Sequence, residues 1–271
     1  MWNSRGVRGQ LLCLAIALCV SAAAWAQTRP TRTEVGGPVP NAILWVGNSF
    51  FYYNNSMHMH VLNLVHAADP KSKARATSVT ISGSGIDWHD MASYFRPRAI
   101  GRYSFLDNNE IVFSEPGRQF DAVIIADCSQ CPIHPQLKSV FHEYTKIQSE
   151  VVTASGARPI FFMTWAYKDR PEMTAQLAEQ YTTAGNDNDA LVIPAGLAFA
   201  KAIARRPDLE FYQHDRRHPT LIGTYLAACT TYASIYGKSP VGNAYTAGIN
   251  PALVRFLQET AQETVREYFG R

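Results

Sequence analysis

From Asn41 onward, short apolar runs alternate with longer segments in which apolar residues recur every three or four positions. The short runs are Ala42 to Val46, Thr77 to Ile81, Ala122 to Ala126, Pro159 to Met163 and Leu191 to Ile193. Each is nearly continuous in apolar residues, the pattern of a strand buried on both faces. The intervening periodicity predicts helices over 56–68, 135–155, 171–184 and 195–205, with 219–236 and 250–269 closing the chain. Strands that alternate with helices in this way form a parallel sheet with helices on both faces. No internal repeat or low-complexity array interrupts the pattern.

An open parallel sheet presents its reactive groups in the loops beyond the carboxyl ends of its strands, where strand order reverses. The most distinctive residues of this chain fall there. Gly47-Asn48-Ser49-Phe50 follows the first run, Gly83-Ser84-Gly85 the second, and Ser129 and Gln130 the third. Far along the chain, Asp215-Arg216-Arg217-His218-Pro219 precedes the last two helices. A serine hydroxyl is a weak nucleophile at its free pKa, so it needs an imidazole base and usually a third group to orient that base. Ser49, His218 and Asp215 supply the three.

Oxyanion stabilisation has candidates as well. Ser49 stands at a strand-to-helix junction, where its own N–H has no partner within the helix. The Gly83-Ser84-Gly85 turn brings a second N–H close because no Cβ blocks the approach, and the Gln130 amide is a third donor. None of this chemistry calls for a cofactor or a metal.

Ahead of the first strand the pattern changes. Arg5 and Arg8 lead into an apolar stretch from Leu11 to Ala24, followed by the small-x-small sequence Ala24-Trp25-Ala26. Residues 1–26 therefore read as a cleavable signal peptide, which makes the protein exported, to the periplasm or beyond, with no stable membrane anchor. Residues 27–40, rich in Thr, Arg, Pro and Gly, read as an extended lead-in, and 41–271 as a single domain. The composition, 46% hydrophobic and 17% charged over 271 residues, suits one well-packed core.

Cleavage also changes the charge. The full chain carries a formal +3, but losing Arg5 and Arg8 leaves 23 basic against 22 acidic residues. With no basic run to neutralise phosphates, nucleic acid is not an expected partner. Cys13 and Cys19 leave with the signal, so Cys128, Cys131 and Cys229 remain, an odd count.

Some clusters admit other chemistry. Cys128-Ser-Gln-Cys131 with His134 beyond is a metal or redox pattern, a local disulfide, or a pair of reduced thiols; a closed zinc site would need a second ligand pair. Met57-His-Met-His60, with His66 beyond, has soft-metal ligands. Helical spacing accounts for that run by placing Met59 and Leu62 toward the core and the histidines at the cleft. Phe51, Tyr52, Tyr53, Trp88, Trp165 and Tyr167 are expected around the catalytic rim, where aromatic faces suit a sugar. Besides an esterase, the residues thus leave open a catalytically silent glycan-binding protein and an exported metal-binding protein. Retention of serine, histidine and aspartate together favours catalysis.

Over residues 41 to 240 the chain resembles the SGNH (GDSL-like) hydrolase superfamily, in an exported bacterial branch. The resemblance rests on Val46-Gly-Asn-Ser-Phe50, Gly83-Ser-Gly85, Asp127-Cys-Ser-Gln130 and Asp215-x-x-His218-Pro219, with Thr164-Trp165-Ala166 and Gly223 to Ala228 in support. It implies a three-layer α/β/α sandwich around a flavodoxin-like, mostly parallel five-stranded sheet of order 2-1-3-4-5. It also implies Ser49 as nucleophile, His218 as general base and acid, and Asp215 as its orienting partner. Ser49, Gly85 (Gly83 as the alternative) and Gln130 would form the oxyanion hole. The substrate implied is a small-molecule or glycan ester. Gln130 stands where the superfamily has asparagine, Asn48 where it has aspartate, and Arg216 where it often has glycine.

Overall fold

Leu44 and Val46 point to one side of the first strand while Ile43 and Trp45 point to the other, and all four are buried. This period-two division runs through the whole sheet of a computed structural model that describes residues 28–100, 103–113 and 117–271. The signal-like stretch 1–26 lies outside the described residues.

Five strands form the central sheet: β1 (Ala42–Gly47), β2 (Arg75–Thr80), β5 (Ala122–Ile125), β6 (Arg158–Phe162) and β7 (Leu191–Ile193). They lie in the order β2-β1-β5-β6-β7, and every neighbouring pair is parallel. Counted among themselves, these strands have the order 2-1-3-4-5. The chain crosses from β2 at one edge back past β1 to β5, so the switch point lies between β1 and β5. Their carboxyl ends deliver Ser49 and Asp127–Gln130 to neighbouring loops.

Helices cover both faces. Trp45, Ile124, Ile160 and Phe162 pack beneath α2 (Met57–Ala68), α6 (Ala195–Arg205), α7 (Leu221–Tyr236) and α8 (Pro251–Phe269). Leu44, Val123, Ile125 and Phe161 pack beneath α4 (Lys138–Ala154) and α5 (Met173–Asp187). Helix α7 is buried from Gly223 to Ile235, and its hydroxyls at Thr230, Thr231 and Ser234 each bond the carbonyl four residues earlier at 2.8 Å. That pairing lets polar side chains sit in a core helix.

Three features depart from the pattern in the sequence. Strand β2 is half-exposed, an edge strand rather than one buried on both faces, which accounts for its Thr and Ser content. Single-turn helices α1 (Ser49–Tyr52) and α3 (Met91–Tyr94) are too short for periodicity to register. An antiparallel hairpin, β3 (Tyr103–Phe105) with β4 (Ile111–Phe113), projects with its apolar residues exposed. Residues 28–40 run without regular structure along α5, where Thr28 Oγ1 donates to Glu179 at 2.7 Å and the Thr31 N–H to Asn186 at 2.8 Å. Among the described residues no helix is long and apolar enough to cross a membrane.

Candidate active site

Ser49 opens α1 directly beyond β1, and the residue before it decides how. Asn48 is the N-cap: its side-chain oxygen accepts from the Phe50 N–H at 3.2 Å. Its Nδ2 donates to the Ser84 carbonyl at 3.1 Å and the Asp127 carbonyl at 3.0 Å, so one buried amide joins the loops after β1, β2 and β5. Beneath Ser49, Phe50 stacks on Trp165 at 4.6 Å and Trp165 on Phe199 at 4.2 Å.

The second half of the site is a tight loop. The Gln213 N–H donates to the His218 carbonyl at 2.8 Å, and Arg216 turns the chain at φ +63°. Asp215 Oδ1 accepts the backbone N–H of both Arg217 and His218 at 3.0 Å. Two bonds fasten this loop to the segment after β6: Trp165 Nε1 donates to the Arg217 carbonyl at 2.9 Å, and the Lys168 N–H to the Arg216 carbonyl at 3.0 Å.

So held, His218 Nε2 lies 2.7 Å from Ser49 Oγ, while Nδ1 bonds Asp215 Oδ2. With the carboxylate accepting from Nδ1–H, the free lone pair is on Nε2, facing the serine. Burial pushes the Asp215 carboxyl up, but the bonds it receives from His218 and the two backbone N–H groups outweigh this and hold it below its ordinary value. The imidazole is gripped from other sides as well: the Tyr53 ring stacks on it at 4.3 Å and Phe50 meets it edge-on at 5.6 Å.

The cleft above Ser49 has a volume of about 220 Å³ and is lined by Asn48, Phe50, Gly83, Cys128, Ser129, Gln130, Tyr167, Arg217 and His218. Ser49, Asp215, His218 and Gln130 are therefore brought to one place. Gly83, with φ +72°, is on the cleft wall; Gly85 is buried behind it, where an added Cβ would stand 2.5 Å from Asp87 Oδ1. Among the described residues none accepts from the N–H of Ser49, Gly83 or Gly85. The Arg217 guanidinium lies over the Tyr167 ring at 4.6 Å, and the Tyr167 hydroxyl bonds Ser129 Oγ at 2.6 Å.

Several expected rim residues belong elsewhere. Phe51 and Trp165 are core side chains; Tyr52 and Trp88 are exposed; Tyr53 serves the histidine. On α2, Met57, Val61 and Leu64 face the core and Met59 is exposed, the reverse of the expected phase. His60 is buried with both ring nitrogens engaged, by the Asn54 carbonyl at 2.6 Å and the Tyr245 hydroxyl at 2.8 Å.

Cys128 and Cys131 form a disulfide, and Cys229 is a free thiol buried in α7, where burial pushes it up. Asp127 has a role that its place in the third motif did not disclose. Its carboxyl is buried, with Oδ1 accepting from the Ile86 N–H at 2.8 Å and the Cys128 N–H at 2.7 Å. Desolvation outweighs these bonds and pushes it up to about 7.

No family model matches the sequence, and no curated protein does. Solved structures do match. A DUF4886 family protein from Bacteroides uniformis superposes with a TM-score of 0.54 at 18% identity, covering 82% of this chain and 93% of its own. The psychrotrophic esterase EstA from Pseudoalteromonas sp. gives 0.51 at 14% identity, covering 73% and 97%. A protein assigned to the SGNH hydrolases, from Slackia heliotrinireducens, gives 0.50 at 21% identity, covering 71% and 97%. The chain has the α/β fold of the SGNH and GDSL-like hydrolases.

Proposed function

We propose that the protein is an exported serine ester hydrolase that acts through an acyl-enzyme on acyl esters of carbohydrates and related small esters. The observation that carries this reading is the 2.7 Å contact between Ser49 Oγ and His218 Nε2, with Asp215 on the far nitrogen. His218 takes the serine proton as Oγ attacks the ester carbonyl, then returns it to the departing alcohol. The oxyanion is met by the Ser49 N–H, by Gly83 or Gly85, and by the Gln130 amide. Water, activated by the same imidazole, then frees the acyl group.

A cleft of about 220 Å³ suits a short acyl group such as acetyl. Outside the cleft lining, exposed Trp88 and Tyr52, each three residues past Gly85 and Ser49 respectively, offer faces for a sugar ring that extends beyond the cleft. Export rests on the signal-like residues 1–26.

The test is stoichiometric labelling by a serine-directed phosphonate, with Ser49→Ala as the blank, alongside hydrolysis of acetylated sugars, aryl acetates and longer acyl esters. Labelling lost in Ser49→Ala, with turnover greatest on acetyl esters, supports the proposal. An unlabelled protein that binds glycans without turnover sinks it. Gln130→Ala should stay folded and lose about 10²-fold in kcat, the usual cost of one oxyanion donor; undiminished activity removes Gln130 from the hole.

A further inference from the structure

The Cys128–Cys131 bridge closes a ring around Ser129 and Gln130, and Cys128, Ser129 and Gln130 all line the cleft over Ser49. The bridge is reachable from that cleft, since Cys128 is half-buried while Cys131 lies deeper. Cys128 Sγ accepts the Cys131 N–H at 3.0 Å, a bond that favours negative charge on that sulfur.

Asp127 lies beside it. A carboxyl oxygen and both sulfurs are within 4.8 Å of one another, and the side chain is 2% exposed. Its Oδ2 has no partner among the described residues. A bare buried carboxylate oxygen is costly, and a proton on it lowers the cost by removing the charge. The other ionisable groups facing it are Asp87, whose charge adds to the upward push, and the Tyr181 phenol of α5, 3.4 Å from the Asp127 N–H. A carboxylic acid so placed can hand its proton to a thiolate leaving the bridge.

We propose that the Cys128–Cys131 bridge is a second reactive site, a thiol–disulfide exchange centre that takes an external dithiol, and that its state governs the loop carrying Gln130. One thiolate of the dithiol attacks Cys128 Sγ; the bridge breaks, and Cys131 leaves with the bond pair and takes the Asp127 proton. The second thiol then attacks its own partner sulfur in the mixed disulfide and releases Cys128 toward the Cys131 N–H. The dithiol is oxidised to a disulfide by loss of two electrons, the bridge is reduced to two cysteines, and the dithiol's two protons pass through solvent to Asp127 and Cys128. Reduction opens the ring and frees Gln130. This last coupling rests on the esterase reading; the exchange does not.

The experiment treats the folded mature protein with dithiothreitol, then counts alkylated cysteines by mass after maleimide quenching. In the protein without residues 1–26, two alkyl groups should enter in dithiothreitol without denaturant, with Cys229 remaining buried; entry only in denaturant, with three groups, makes the bridge a structural brace and overturns the proposal. The rate constant per dithiothreitol thiolate should fall as pH rises through about 7, and a profile without that fall removes Asp127 as the acid. Asp127→Asn should be slower below that pH by about 10²-fold, the scale of general acid catalysis. If that variant does not fold, the wild-type profile decides alone.

Ester hydrolysis should fall by about 10²-fold on reduction, as for a lost oxyanion donor, and return on reoxidation. The paired Cys128→Ser, Cys131→Ser variant should stay at the reduced level whatever the dithiothreitol. Hydrolysis indifferent to the bridge overturns the coupling. Phosphonate labelling of Ser49 is scored separately, so failure of the esterase reading shows there and not in the alkylation count.

Discussion

The Tyr53 ring lies nearly parallel to that of His218, with centroids 4.3 Å apart and planes 12° from parallel. Tyr53 caps the short helix that begins at Ser49, so the segment that presents the nucleophile also fixes the face of its base. An aromatic pair of this kind contributes about 1 kcal/mol beyond burial. Tyr53→Ala should therefore lower kcat by about fivefold, with KM little changed, and Tyr53→Phe should restore it. Steady-state kinetics on one acetyl ester decides; equal kcat in all three proteins removes the stack from catalysis.

Asn48 is a buried amide that joins three loops, and replacing it by aspartate changes more than charge. Its Nδ2 donates two bonds to backbone carbonyls, and a carboxylate has no proton to donate. Asn48→Asp should lose about 3 kcal/mol of stability, from two buried carbonyls left unpaired and a buried charge. Urea unfolding reads this as a lower midpoint at unchanged slope. A variant as stable as the parent means that the three loops are held together by other contacts.

Asp127 makes stability depend on pH. Its folded value of about 7 lies above the roughly 3.9 of an unfolded aspartate. The folded state thus retains a proton the unfolded chain has lost. The favourable contribution is complete below about pH 4, is lost as pH rises toward 7 at up to about 1.4 kcal/mol per pH unit, and is flat above. Unfolding free energies measured from pH 4 to 8 should show this decline, and Asp127→Asn should remove it. An unaltered slope in the variant assigns the decline to another group.

Gly196 opens the first turn of α6 against the loop after β6. A Cβ built there would stand 2.2 Å from the Thr164 carbonyl oxygen, so the helix can approach the loop only as glycine. Gly196→Ala should cost about 3 kcal/mol, the upper range for overpacking, and lower Tm by about 6–12 °C. Because Trp165 next to Thr164 holds the Arg217 carbonyl, activity should fall with it. Unchanged Tm in a thermal scan shows that the helix can withdraw without cost.

Strands β1, β5, β6 and β7 were legible because burial on both faces leaves a continuous apolar signature, and a parallel sheet must turn at their carboxyl ends. The motifs at those ends pointed to the serine and glutamine loops, and Asp215-x-x-His218, between α6 and α7, to the other half of the site. Where burial is partial, the signature weakens: β2 is half-exposed, and the hairpin 103–113 exposes residues that hydropathy alone would bury. A single turn such as α1 is shorter than the period that would reveal it.

By itself, then, the sequence determined which residues are chemically able to act and on which loops they stand, since strand burial and turn chemistry are local. Only the tertiary structure decided that Ser49 and His218, 169 positions apart, meet at 2.7 Å. It likewise decided that Tyr53 serves the imidazole while Trp165 serves the core, and that Asp127 holds its proton to about pH 7 beside a closed disulfide. Distance and desolvation are properties of neighbours, and for these residues the neighbours come from distant parts of the chain.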